Sequence, residues 1–92
     1  MKFQTGQVVA TSTIANAMEE SGTFRKKIHE CLNSYLNCNW GDLSKSDKKL
    51  NDIAVKENND RIFAAYETTK GKIYIITEID RSITTILFAN EY

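Results

Sequence analysis

Residues 61–88 read RIFAAYETTKGKIYIITEIDRSITTILF, and this stretch decides the fold class. It contains three runs rich in β-branched and aromatic residues, at 61–67, 72–78 and 83–88, and such runs are typical of strands. Short segments with turn character separate the runs. The pattern therefore predicts two hairpins in series, which together form a three-stranded antiparallel meander.

The middle run is apolar on both of its faces. Successive side chains of a strand point to opposite sides of a sheet, so helices on one side only would leave Tyr74 and Ile76, or their neighbours, against solvent. A leftover apolar patch of this kind needs a cover. Two alternatives follow: the chain or a homodimer mate covers the second face, or a partner binds there.

The clearest helix pattern lies upstream of the meander. Apolar residues recur at spacings of three and four between Phe24 and Leu36, which is the mark of an amphipathic helix, and Thr23 is placed to cap its start. We expect this helix to pack across the meander. A β-branched run at 7–11 suits a first strand.

Two further helices are predicted with less apolar surface. One spans 14–20, with Thr13 as its N-cap and a stop at 21–22. The other begins at 44–47, which has the form of a capping box, and fades at 58–59. We expect it to lie on the surface, because its apolar face is limited to three residues: Leu50, Ile53 and Ala54.

The length of the chain limits it to one core. At 92 residues it lies within the range of a single domain and leaves no room for a second one. The prediction is one α+β domain over 1–92. Its N-terminal strand and two to three helices should pack on the C-terminal meander.

The charges of the chain are balanced. Twelve basic residues stand against twelve acidic ones, so no net field attracts nucleic acid or an anionic membrane. The first residues contain no apolar signal-peptide core, and no run of eighteen apolar residues occurs. We therefore expect a cytoplasmic protein that neither spans a membrane nor binds nucleic acid directly.

Signatures of catalysis are nearly absent. The one histidine, His29, is two positions from Cys31 on the predicted helix, and residues at that spacing point about 200° apart, so they cannot form a nucleophile–base pair. Together with Cys38 they still lack the close cysteine pair and the fourth ligand of a structural zinc site. We predict no catalytic residue, no metal and no cofactor.

The second predicted turn carries charges suited to a partner. Asp80 and Arg81 lie in it, next to Glu78, and the two carboxylates could alternatively hold Mg²⁺ or pair with the arginine. A solvated hairpin turn is the simpler interpretation. Beside a leftover apolar face that contains Tyr74, a charged turn makes the core-and-rim arrangement of an interface.

The corner formed by Trp40, Gly41 and Asp42 has two interpretations. A tryptophan just beyond a helix commonly closes the end of a core, and Asp42 would turn the chain there. Tryptophan is also over-represented at binding hot spots, so Trp40 could be a partly exposed anchor. The predicted partner-binding residues are therefore five: Asp80, Arg81, Tyr74, Trp40 and Asp42.

Several stretches of the chain resemble a known family. They are NWGDL at 39–43 with Asp47, Lys48 and Asn51, then RIFAAY at 61–66, IITEIDRSITTILF at 75–88 and EY at 91–92. The family consists of proteins of similar length from plasmids, phages and conjugative elements of Firmicutes, usually labelled plasmid-related or hypothetical. The resemblance implies a mobile genetic element, where small non-catalytic proteins often act against host defence. The expected function is anti-CRISPR-like, by binding a host defence protein.

Two alternatives remain open. The order of strand, helices and antiparallel meander is also similar to that of RelE-like ribonuclease toxins, and that resemblance would make Arg61, Arg81 and Tyr92 the candidates for RNA cleavage. The neutral charge departs from the toxin pattern, since such an enzyme grips mRNA phosphates with basic residues. The other alternative is a sponge for a nucleotide-like small molecule held between helices and sheet, although the chain offers no anion-binding loop.

Overall fold

The computed structural model describes residues 2–92. In chain order the elements are β1 (Gln7–Ala10), α1 (Ser12–Glu20), α2 (Gly22–Leu36), α3 (Lys45–Glu57), β2 (Ile62–Thr68), β3 (Gly71–Thr77), β4 (Ile83–Phe88) and a 3₁₀ helix (Ala89–Glu91). The predicted α+β class is confirmed. The bounds of the three C-terminal strands differ from the predicted ones by no more than one residue.

The sheet is mixed. Its strands follow the order β1-β4-β3-β2, and β2, β3 and β4 are antiparallel, as the meander prediction requires. β1 lies parallel to β4, with Gln7 opposite Ile83 and Ala10 opposite Ile86. Parallel pairing requires a long crossover between the two strands, and the three helices lie within that crossover.

Two of the three helix caps differ from the predicted ones. The side chain of Thr11, not Thr13, accepts the capping hydrogen bond of α1, and Ser21, not Thr23, caps α2. Ser44 caps α3, as predicted. Ser21 also ends α1, so one residue in extended conformation joins two helices without a loop.

One hydrophobic core lies between the helices and one face of the sheet. α2 packs against β2, and its buried face is the predicted apolar stripe. The core contains buried side chains from the N-terminal segment, from all three helices, from the segment between α2 and α3, and from strands β2 to β4: Phe3, Ile14, Ala17, Phe24, Ile28, Cys31, Tyr35, Trp40, Ala54, Ile62, Ala64, Tyr66, Ile73, Ile75 and Ile86.

A chain of buried hydrogen bonds ties α2 to the sheet. The Tyr35 hydroxyl lies 2.7 Å from the Thr77 hydroxyl and donates to the Ile62 carbonyl at 3.1 Å. The Thr84 hydroxyl lies 2.7 Å from that of Thr77 and donates to the Thr5 carbonyl at 2.7 Å. Burial raises the pKa of Tyr35 above the usual value of a phenol, so the hydroxyl keeps its proton to a higher pH than an exposed tyrosine does. A buried polar network that is satisfied in this way specifies how the helix lies on the sheet.

α3 buries a polar residue where an apolar stripe was expected. Leu50 and Ile53 are exposed, whereas Asn51 and Ala54 are buried. The Asn51 side-chain amide donates to the Phe63 carbonyl at 2.6 Å and accepts from the Phe63 N–H at 3.2 Å. Asn51 thereby takes the place of a neighbouring strand on the outer edge of β2.

The segment between α2 and α3 covers the next position of the same edge. The Asp42 N–H donates to the Ala65 carbonyl at 2.7 Å, and the Ala65 N–H donates to the Trp40 carbonyl at 3.4 Å. Gly41 pairs with Ala65 as a residue of a parallel strand would. Unpaired strand edges attract other chains, so the protein protects the β2 edge with its own backbone and with an amide side chain.

Candidate functional site

The buried apolar side chains of the sheet fall into two sets. One set belongs to the core beneath the helices. The other set, Ala65, Ile76 and Leu87, is buried but lies outside that core. Ile76 is paired with Phe63 on β2 and with Thr85 on β4, and cross-strand partners share a face of the sheet. The sheet therefore has a second apolar face.

We call this second face the open face. It is formed by alternate residues of all four strands: Val9, Phe63, Ala65, Tyr74, Ile76, Ile83, Thr85 and Leu87. The buried apolar side chains of the helices all belong to the core on the other side of the sheet. Within residues 2–92, therefore, no α-helix covers the open face.

The centre of the open face is shielded by its own neighbours. Ile76 is only 5% exposed, although no α-helix of residues 2–92 lies on it, and Phe63, Tyr74 and Thr85 around it are half-buried. Large side chains on adjacent strands stand close enough to crowd over the one between them. A partner would therefore meet the surrounding aromatic side chains first.

An aromatic cluster with an arginine dominates one end of the open face. Tyr74, one of the predicted partner-binding residues, makes edge-to-face contacts with Phe63 at 4.8 Å and with Tyr92 at 5.8 Å between ring centroids. The Arg61 guanidinium carbon lies 5.8 Å from the Tyr92 ring centroid, and Nη1 donates to the Tyr92 hydroxyl at 2.6 Å. Tyrosine and arginine are enriched among the residues that carry binding energy at interfaces.

Hydrogen bonds anchor the C-terminal segment, residues 89–92, and so hold Tyr92 beside the open face. The Glu91 carboxylate accepts from the Phe88 N–H at 2.8 Å and from the Thr11 hydroxyl at 3.0 Å. These hydrogen bonds hold the pKa of Glu91 below its usual value. Tyr92 itself is 64% exposed, so the segment shields a corner of the face and leaves its last ring available.

Charged residues of both signs border the open face. Glu67 and Lys72 are cross-strand partners at one end of the β2–β3 pair, and Arg61 and Glu78 flank the other end, beyond the last paired residues. All four side chains are exposed. The border carries two positive and two negative charges and therefore has no net charge. A polar border around an apolar centre is the arrangement found at protein interfaces.

Arg81 is not the exposed turn charge that the sequence pattern suggested. It is 8% exposed, and its guanidinium donates to four backbone carbonyls, those of Asp60, Glu78, Ile79 and Ala54, at 2.7 to 3.3 Å. Ala54 lies in the last turn of α3, where a positive charge also interacts favourably with the helix dipole. Arg81 therefore links α3 to the β3–β4 turn, and its charged group is occupied by the fold.

Asp80, the neighbour of Arg81, is exposed as expected. Its carboxylate accepts from the Ser82 hydroxyl at 2.5 Å and from the Ser82 N–H at 3.0 Å. These hydrogen bonds lower the pKa of Asp80. The side chain shapes the turn and still presents its negative charge to solvent.

Trp40 and Asp42 lie at the protected edge of β2, away from the centre of the open face. Trp40 is 2% exposed, packs against Tyr35 and Phe3, and donates from Nε1 to Asp52 at 2.9 Å. It closes the core, and the interpretation of Trp40 as an exposed anchor is wrong. Asp42 is exposed, but its role in the fold is carried by its backbone N–H on β2.

His29 and Cys31 lie in different environments. Cys31 is buried in the core, as its place in the apolar stripe predicts, while His29 is exposed. Burial raises the pKa of the Cys31 thiol, which favours the unreactive protonated form. In the part of the chain from residue 2 onward, no three His, Cys, Asp or Glu side chains are grouped as metal ligands.

The open face contains residues that the sequence pattern did not single out. Phe63 and Leu87 belong to it, and Arg61 and Tyr92 had been named only for the ribonuclease alternative. The signal that could have found Phe63 is its register with Ile76 across the β2–β3 hairpin. No signal in the sequence indicates that the C-terminal segment turns back toward Tyr74.

Comparisons with known proteins give no match. No protein-family model matches the chain, and no curated protein and no solved structure matches it. A search of the helices within residues 2–92 finds none with the length and apolar character needed to cross a bilayer.

Proposed function

We propose that the chain is a small, non-catalytic binding protein whose open face docks on a host protein. The observation that carries this proposal is an apolar sheet face without an α-helix over it among residues 2–92, with an aromatic–arginine cluster at one end. The contact residues are Tyr74, Phe63, Tyr92 and Arg61, with Asp80 at the adjacent turn. Arg81, Trp40 and Asp42 act in the fold and not in the contact.

The charge of the border favours a protein partner over nucleic acid. Single-stranded nucleic acid can also stack on aromatic rings, but its binding needs a basic groove that follows the phosphates. Here Arg61 and Lys72 are matched by Glu67 and Glu78, and the whole chain has a formal net charge of zero. A balanced border around apolar and aromatic side chains suits a protein surface of mixed polarity.

The class of the partner follows from the sequence resemblance. Proteins of plasmids and phages meet the defence systems of the host, and a small chain can block a nuclease complex by occupying one of its surfaces. We therefore propose a component of a host defence complex, of the CRISPR type, as the partner. The class of the partner is inferred from the resemblance, whereas the location of the contact is inferred from the open face.

A photo-cross-linker on the open face should capture this partner. With p-benzoylphenylalanine at position 74, expressed in a Firmicutes host that carries a CRISPR system, we expect a covalent adduct with a defence protein, identified by mass spectrometry. The same group at the exposed position 29, on α2, is the matched control and should give no such adduct. Adducts formed equally at both positions, or at position 74 only with RNA or a second copy, would contradict the proposal.

A charge in the aromatic cluster should weaken the captured complex. We expect Tyr74→Lys to reduce affinity at least tenfold, about 1.4 kcal/mol, because it removes two ring contacts and places a charge on an apolar face. The His29→Ala variant should bind as the unmodified chain does. Thermal unfolding of each variant shows whether the fold is retained, and unchanged binding by a folded Tyr74→Lys protein would exclude the open face.

The ribonuclease alternative has one observation in its favour. Arg61 and Tyr92, two of its three candidate residues, are in direct contact. The third, Arg81, is buried and bonded to carbonyls, so it is not available for a phosphate. We expect purified protein to leave RNA intact with or without Mg²⁺, as followed by gel electrophoresis. Cleavage that disappears in Arg61→Ala would favour the toxin instead.

A further inference from the structure

The two outer edges of the sheet differ in how they are covered. The β2 edge is covered by Asn51 and by the segment around Gly41, as described above. β1, at the opposite edge, pairs with β4 on one side only. Its four residues, Gln-Val-Val-Ala, include no charge, no proline and no bulge, which are the features that normally discourage pairing at an edge.

The backbone of β1 offers hydrogen-bonding groups toward the outside. The N–H groups of Gln7 and Thr11 donate toward β4, to Ser82 and Ile86 at 3.1 Å. Alternate residues of a strand bond to the same neighbour, so Val8 and Ala10 direct their N–H and C=O groups away from the sheet. Val8 is 41% exposed and Ala10 is exposed, so their side chains do not bury this edge.

We infer that β1 is a self-association edge, on which β1 of a second copy pairs antiparallel. A two-fold axis at Val9 brings Val8 opposite the partner's Ala10, and Ala10 opposite the partner's Val8. Each opposed pair exchanges two N–H···O=C bonds, so all four outward donors of the two strands are satisfied. The result is a continuous eight-stranded sheet.

Charge and side-chain exposure favour a second copy over an unrelated peptide. β1 carries no charge and the chain is neutral, so two copies meet without electrostatic repulsion. A peptide added to a sheet edge gains its specificity from pockets for its side chains. The helix-side residues of β1, Val8 and Ala10, are exposed and do not form the wall of such a pocket. Two identical strands whose outward N–H and C=O groups match can pair through their backbones, without a pocket for a side chain.

Pairing through β1 does not depend on the proposed function, but it changes the surface that the protein offers to a partner. In an antiparallel edge pairing the two-fold axis is perpendicular to the sheet, so the open faces of both copies lie on the same side. The dimer would present one surface of double width. Because a contact of four residues per strand buries less area than a standard interface, we expect a weak dimer.

Sedimentation equilibrium and light scattering on the full chain test the pairing. The mass should rise with concentration from 10.5 kDa toward twice that value, 21 kDa. Val8→Pro removes an N–H that β4 does not use, and proline is tolerated on the solvent side of an edge strand. We expect this variant to raise the dissociation constant at least tenfold. Val8→Thr, which keeps the N–H and the β-branched side chain, should dimerise like the unmodified protein.

Amide hydrogen exchange on the unmodified protein gives a second readout that does not depend on how the proline variant folds. The Val8 and Ala10 N–H groups should exchange more slowly as the concentration rises, while the exposed β2–β3 turn should not change. A chain that is monomeric up to about 1 mM, or a dimer that Val8→Pro leaves equally tight, overturns the inference. So does exchange at Val8 and Ala10 that is independent of concentration.

Discussion

Replacing Arg81 by methionine is expected to destabilise the protein by about 3 kcal/mol or more, a large share of the stability of a small domain. The guanidinium donates to four carbonyls from three segments of the chain: the end of α3, Asp60 in the loop before β2, and the β3–β4 turn. Methionine has similar length but no donor. The Ala54 and Glu78 carbonyls keep the backbone N–H groups of Asn58 and residue 81 as donors, so the lost hydrogen bonds fall mainly on the Asp60 and Ile79 carbonyls. The three segments also lose their common link, and partly buried carbonyls without donors cost free energy.

Equilibrium unfolding in urea, followed by circular dichroism, measures this loss. Arg61→Met is the matched control, because Arg61 is exposed and its main contact is with Tyr92, so we expect a change below about 1 kcal/mol. Arg81→Lys should fall between the two, since one ammonium cannot reach all four acceptors. Equal stabilities for the Arg81→Met and Arg61→Met variants would show that water replaces the guanidinium at no cost.

The meander could be predicted because its signals are local. Strands β2, β3 and β4 each have their own run of β-branched or aromatic residues, and connections of only two and five residues, 69–70 and 78–82, join them. The position of β1 could not be predicted, because its parallel partner β4 lies more than seventy residues away along the chain. Nothing within the segment 7–11 indicates which strand it will meet.

The sequence pattern misplaced Arg81 and left two interpretations of Trp40, of which the structure confirms the one that closes the core. Both outcomes have a common cause. A charged residue in a predicted turn is usually solvated, and only the tertiary structure shows that carbonyls from α3 and from Asp60 surround Arg81. For Trp40 the question was whether the side chain is buried or partly exposed. Its contacts with Tyr35 and Phe3, which come from other segments of the chain, bury it. Residue type alone indicates that such side chains matter, but burial decides whether they serve the fold or a partner.

The cap positions were wrong for a local reason. Thr11 and Ser21 lie two residues before Thr13 and Thr23, and all four are good N-cap residues. A helix begins where backbone geometry and packing allow, and the candidate that precedes the first turn takes the role.

The open face, in contrast, was partly predictable, since Tyr74 and Ile76 already marked β3 as apolar on both sides.

The corner at Gly41 should be as sensitive to substitution as Arg81. Gly41 has a positive φ of 73°, and a Cβ added there would overlap the Ala65 carbonyl and lie 2.7 Å from the Tyr66 ring. We expect Gly41→Ala to destabilise the protein by about 3 kcal/mol, since the left-handed backbone conformation costs an alanine about 1–2 kcal/mol and the overlap adds to it. Relief of the overlap would require the Asp42–Ala65 hydrogen bond of 2.7 Å to lengthen.

Gly22→Ala is the control for this prediction, because Gly22 begins α2 without a positive φ and an added Cβ would meet only the Arg25 side chain at 3.5 Å. That variant should be neutral or more stable by about 0.5 kcal/mol, since alanine loses less backbone entropy on folding. In Gly41→Ala, amide exchange should also increase at Ala65 and Asp42, where the edge of β2 opens, before it increases in α2. If Gly41→Ala unfolds at the same urea concentration as Gly22→Ala, the close approach of the chain to β2 is not required for stability, and the protection of that edge must come from Asn51 alone.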